Sequence, residues 1–248
     1  NEADILGGGL YGRRGGYQVR ANAIEMNGAD WGGGVAVDGG QPSFAGNAIR
    51  GNEVKWSGGG LYIIASQAVV TGNQVLSNTS SYGGGVYVSG GAPTLLRNQV
   101  RGNVASYGGG IYLRDQAQPV VNNVIADNRA GSKGAGAYVW SGSPALLHTT
   151  LVRNLPLNAP GVCGFYVGAG SASLTNSIVG AHETGVCAAS GSSVTLTGTL
   201  WGSGAWANAK DWDESAPIVT GPPSANTWGE PRFVDPDRGD YHIIVGSA

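Results

Sequence analysis

Apolar residues in this chain fall in short alternating runs, and glycine and asparagine separate the runs. The stretch Gly83–Gly91, GGGVYVSGG, is typical, and close copies recur. Glycine triplets begin at Gly7, Gly32, Gly58, Gly83 and Gly108, with a degenerate GAG at Gly134, in steps of 25, 26, 25, 25 and 26 residues. An Asn follows 15 residues after each of the first five triplets begins, at Asn22, Asn47, Asn73, Asn98 and Asn123. Thr149 takes that place next, and Asn176 is expected to resume it after a small insertion. Two residues past each Asn comes an aliphatic (Ile24, Ile49, Val75, Val100, Ile125), and five past comes a second Asn (Asn27, Asn52, Asn78, Asn103, Asn128).

Period-two alternation in runs this short describes strands, not helices. A 25-residue unit of three strands and three turns, repeated, predicts an all-β parallel β-helix. At ~4.8 Å per coil, about eight coils make a rod about 40 Å long. Four inward columns follow: Leu10 to Phe165, Val37 to Val167, Phe44 with Val70 and Leu95, and the aliphatics after each Asn. The Asn columns belong at a corner, where each amide can bond its copy above and below as a structural ladder; a ligand site is the alternative. Residues 1–202 carry the repeats, and 203–248 break the period.

Composition agrees. There are 45 Gly in 248 residues, 41 % apolar and 12 % charged residues, and a formal net charge of −2. Such a balance gives no reason to expect a nucleic-acid partner. No apolar run reaches the length of a transmembrane helix.

The GGGV, GGGL and GGGI phrases, with FAGN at Phe44–Asn47, resemble the GGA[ILV] and FxxN repeats of the chlamydial polymorphic outer membrane proteins. The phrase PRFVDPDRGDYHIIVGSA resembles the tail of bacterial surface proteins with a choice-of-anchor domain, and the chain stops inside that pattern. The resemblance implies a right-handed β-helix exported to the cell surface, and no particular reaction.

The ends and the cysteines add expectations. Residues 203–248, with Trp206, Trp212 and Trp228, read as a cap over the last coil or as a sugar platform. Only NEADIL precedes the first triplet, so the N-terminal end is expected to be covered by a removed segment or by end-to-end self-association with another chain. Cys163 and Cys187 lie in two copies of GVC about one coil apart. Stacked coils would bring them into disulfide range; two small buried thiols are the alternative.

Candidate chemistry is sparse. A glycoside hydrolase needs two carboxylates roughly 5–9.5 Å apart. No outward column holds two consecutive acids: Glu25 stacks on Arg50, Asp38 on Ile64, and Asp127 on Arg153. The other acids crowd into the last segment (Asp211, Asp213, Glu214, Asp235, Asp237, Asp240), where turn formation and a calcium site are the two readings. No cofactor and no metal is called for. Alternation turns Tyr62, Tyr87, Tyr112, Tyr138 and Tyr166 outward on one face, with Trp140 beside Tyr138, and Trp31, Tyr82 and Tyr107 precede the triplets. This stripe either stabilises the sheet by stacking or offers an exposed aromatic face to a polysaccharide or a cell-surface protein. The chain thus reads as an extracellular or cell-surface structural or adhesive module; the alternatives are a polysaccharide lyase or glycoside hydrolase on the same fold, and a subunit of an end-to-end assembly.

Overall fold

Apolar side chains on one side of every short run need a surface to bury against, and the chain supplies it by winding on itself. The structure, a computed structural model, describes every residue except 2, 159, 214–217, 221–224 and 245–248. Glu214 and the closing GSA therefore lie outside the described residues. Successive coils build three parallel sheets of nine strands each. The first face opens with Leu10–Arg13 and Val35–Asp38, the second with Gln18–Arg20 and Ser43–Ala45, the third with Ala23–Glu25 and Ala48–Arg50. The three-strand unit is also incomplete. A short fourth arm precedes the glycines in several coils, as at Gly28–Trp31, Glu53–Ser57, Val104–Tyr107 and Arg129–Lys133, and these arms pair in parallel too.

The expected inward columns form one continuous core. Val35, Leu61, Val86, Ile111, Ala137 and Phe165 stack in register, and Val37 to Val167, Phe44 to Leu95 and Ile24 to Leu151 join them. At the N-terminal end, Tyr17 fills the space left by Gly12 and meets Phe44 edge-on at 6.0 Å.

Two asparagine ladders bind the turns. The Oδ1 of Asn78 accepts the backbone N–H of Asn52 (3.0 Å) and its Nδ2 (2.9 Å), while Asn78 Nδ2 donates to Ile49 O at 3.0 Å. The Asn22–Asn47–Asn73–Asn98–Asn123 ladder repeats this geometry rung by rung. It continues through Thr149, whose N–H reaches Ser177 Oγ at 3.1 Å. Ser177, and not Asn176, is thus the rung, because the coil before it is 28 residues long and carries the register one position further. The corner glycines make room for the second ladder. Gly83 has φ +65°, and a Cβ on Gly85 would lie 2.7 Å from Gly110 O and 3.0 Å from Asn103 Nδ2.

The segment 203–248 differs from a simple lid. Lys210–Trp212, Ile218–Thr220 and Thr227–Gly229 pair with the eighth coil and supply the ninth strand of every sheet. Trp212 packs on Trp201, ring centroids 5.3 Å apart. The chain then turns back, and the antiparallel pair Phe233–Asp235 and Asp240–Ile243 docks on the side of the third face. The outward column of that face runs Glu25, Arg50, Leu76, Arg101 and then Ala126, Val152, Gly180. It becomes small and apolar where Phe233 and Tyr241 land. Asp127 anchors the hairpin: it pairs with Arg101 (3.1 Å) and Arg153 (2.7 Å) and accepts the Tyr241 hydroxyl (2.9 Å).

Replacing Asn78 by Ala orphans buried donors on Asn52 and the carbonyl of Ile49, at a cost of about 3 kcal/mol. Asn22→Ala, at the exposed end of its ladder, should cost less than about 1 kcal/mol. Urea unfolding of the two variants beside the parent checks this, and equal losses would deny the ladder its stabilising role.

Candidate functional site

The glycine corner positions the aromatic residues. It folds the fourth arm so sharply against the first face that a Cβ on Gly134 would lie 2.7 Å from the Cβ of Tyr138. Arm residues therefore meet strand residues across the corner. Tyr82 lies edge-on to Tyr112 at 5.7 Å, and Tyr107 reaches Tyr138 at 6.0 Å. Within the strand column Tyr62, Tyr87 and Tyr112 stack at 5.2 and 5.1 Å. The rings then turn edge-to-face at Tyr138, 5.2 Å from Tyr112 and 5.5 Å from Tyr166.

The column does face away from the core, but it is not an exposed stripe. Tyr87, Tyr112 and Tyr138 keep 9, 5 and 2 % of their surface, and Tyr62 and Tyr166 are half-buried. Alternation shows which side of a sheet a residue occupies, not whether another arm roofs it. Tyr82 and Tyr107 do the roofing. Burial, and then the neighbouring tyrosines Tyr166 and Tyr107, push the Tyr138 phenol up to about 12. Burial raises Tyr112 as well. These phenols stay protonated at any physiological pH.

What remains open is a cleft of about 500 Å³ lined by the aromatic residues Tyr82, Tyr87, Tyr107, Tyr112, Tyr138 and Trp140 together with Ser57, Arg114 and Lys133. Trp140 is 49 % exposed and stands edge-on to Tyr138 at 6.2 Å. Lys133 Nζ bonds the Tyr166 hydroxyl at 3.1 Å and sits 4.6 Å over that ring. Both charged groups of the lining are cations. Asp115, which pairs with Arg114 at 3.6 Å, does not line the cleft. Arg114, two residues past Tyr112 on the same strand, and Lys133 escape a reading of the aromatic residues alone. The signal for Lys133 is the position just before each triplet, where Ser57, Tyr82, Tyr107 and Lys133 follow in register.

Cys163 and Cys187 form a disulfide with Cα atoms 6.1 Å apart. They are not equivalent positions of stacked coils. Cys163 is level with Thr184, and Cys187 with Tyr166. Cys187 thus takes the tyrosine place of the eighth coil, and the bond spans the corner that the tyrosines pack across in earlier coils.

The family model described as a right-handed β-helix region matches residues 4–155. The chain belongs to the right-handed β-helix family. No curated protein and no solved structure matches it. Among its described residues, this β-helix has no helix long and apolar enough to cross a membrane. The described residues also hold no group of three or more His, Cys, Asp or Glu able to bind a metal. Three described acids of the last segment have structural partners: Asp237 pairs with Arg153, Asp235 caps the turn at Arg238, and Asp211 accepts Trp228 Nε1.

One histidine of the β-helix has a defined place. His182 replaces asparagine in the second ladder after Asn154. Asn208 uses its Nδ2 on Asp211 and Val179, so its Oδ1 faces His182 Nδ1 at 3.0 Å and accepts that proton. Nε2 then accepts from Asn154 Nδ2 at 3.2 Å. The ring is neutral as a rung, and complete burial lowers its pKa to about 4. Between pH 6.5 and 4 the unfolded chain binds this proton and the folded chain does not. Stability is therefore full above pH 6.5 and declines as pH falls toward 4, by roughly 3 kcal/mol. His182→Asn restores an amide rung and should flatten that slope in melts taken from pH 7.5 to 4; an unchanged slope would place the sensitivity elsewhere.

Proposed function

We propose that this β-helix is an exported, cell-surface binding module that holds a saccharide chain in the aromatic cleft, without a cofactor. The observation that carries the reading is the cleft itself: six aromatic side chains and two cations converge, and no carboxylate lines it. Rings such as Trp140, apolar on the face and polar at the edge, suit the apolar faces of sugar rings. Arg114 and Lys133 favour a sugar that carries carboxylate or sulfate. The Cys163–Cys187 disulfide supports an oxidising, extracellular setting, in line with the surface-protein resemblances of the repeats and the tail. A hydrolase or lyase on this site is the weaker reading, since the cleft lacks a carboxylate pair and its buried tyrosines are held protonated.

Trp140 and Arg114 are exposed enough to be replaced without opening the aromatic cluster. On an array of neutral and acidic oligosaccharides, the parent should retain acidic chains. Trp140→Ala should weaken that binding about tenfold or more, and Arg114→Ala should weaken acidic chains selectively. Binding unaffected by both changes, or none to any saccharide, would overturn the proposal.

A further inference from the structure

The three faces of the solenoid are covered differently. Tyrosines and the fourth arm roof much of the first face. The chain's own hairpin covers part of the third, and Gln99 Nε2 there reaches Gly239 O at 2.7 Å. No element among the described residues covers the second face, and that face carries almost no charge. In coils two to eight the segments through this face are residues 41–49, 67–75, 92–100, 117–125, 143–151, 171–179 and 193–201, and Arg97 is their one Lys, Arg, Asp or Glu. Since 12 % of the chain is charged, charge has been kept off this parallel sheet beyond its first strand, where Arg20 points outward.

The relief of that sheet is specific. One outward column rises to Leu96, Val121 and Leu147 in successive coils. The column beside it carries Thr94 and Ala145 level with the two leucines. Val69, Thr94, Pro119 and Thr195 stay exposed. We infer that this face pairs with the same face of a second copy of the chain. A two-fold axis along the solenoid mirrors the columns, so the leucine ridge of each copy lies on the low column of the other, in the manner of two packed sheets. Seven coils give a patch ~30 Å long and ~15 Å wide, or ~1,000 Å² over both copies, the lower bound for a specific interface. The dimer is therefore reversible. A surface with so little charge suits a partner equally poor in charge, and the backbone edges of these strands are already spent on neighbouring coils, which leaves face-to-face packing as the route.

Sedimentation velocity over a wide concentration range tests this. The parent should shift reversibly from monomer to dimer. Leu96→Lys with Leu147→Lys, both half-buried and outward, should weaken the association about tenfold or more while leaving the thermal melt and saccharide binding unchanged. Ala23→Lys, on the third face, should dimerise like the parent. If the double variant melts early, Thr94→Lys, at an exposed site, replaces it. A parent that stays monomeric, or a dimer indifferent to the lysines, overturns the inference. So does a monomer that binds insoluble neutral polysaccharide through this face.

Discussion

No coil of this protein can satisfy itself. Twenty-five residues wound once around a narrow core leave every strand with unpaired backbone groups above and below, and every turn with amides that point at the next turn. Stacking at the inter-strand spacing resolves both at once. The asparagine ladders are where this constraint is most exacting. One side chain reaches the coils on both sides through four hydrogen bonds, and it is buried, so a missing partner cannot be replaced by water. The third glycine of each triplet, the aliphatic two residues past each Asn and the near-constant period follow from keeping those amides in register.

The same corner produces the surface features. Glycine allows a bend tight enough to lay the short arm against the first face. Once that contact exists, an outward position on the first face is no longer a solvent position. In the middle coils tyrosines fill it. In the eighth coil Cys187 fills it and bonds back to Cys163 in the corner of the coil before. Aromatic cluster and disulfide are two answers to one piece of geometry. The cleft opens where the roof thins, at Ser57 and Lys133, which interrupt the run of aromatic arm residues.

Much of this could be read from the chain. The inward columns, the ladder Asn22 to Asn123 and the parallel coils follow from spacing alone, because identical residues at a fixed period can only stack on one another. The failures have one physical source: spacing describes a coil in isolation from what folds over it. Alternation places Tyr87 and Tyr112 outward, yet they are buried, since the arm bearing Tyr82 and Tyr107 is too short and irregular to show a period of two. Cys163 and Cys187 pair, but across a corner and not rung on rung, because the seventh-to-eighth step is 21 residues at the first face where the repeat of GVC suggested 24. Phe233 and Tyr241 lie beyond the repeat, and only the switch to Ala126, Val152 and Gly180 marks where they dock.

The C-terminal coils show how the fold tolerates departure from its own rule. The first ladder passes from asparagine to Thr149 and then Ser177, and the second passes to His182. A hydroxyl or an imidazole cannot reproduce the four bonds of a buried ladder amide, so cohesion between coils weakens there. The disulfide ties the seventh coil to the eighth in this region, and closing a loop of 24 residues stabilises by roughly 3 kcal/mol. The hairpin adds a second tie, since Asp127 and Arg153 hold it against the fifth and sixth coils from outside. The disulfide lies where both ladders have changed residue type, and the hairpin runs from coils with intact asparagines onto Arg153 in the coil of Thr149, which marks interaction between coils, more than the packing inside any one of them, as the quantity this sequence is built to maintain.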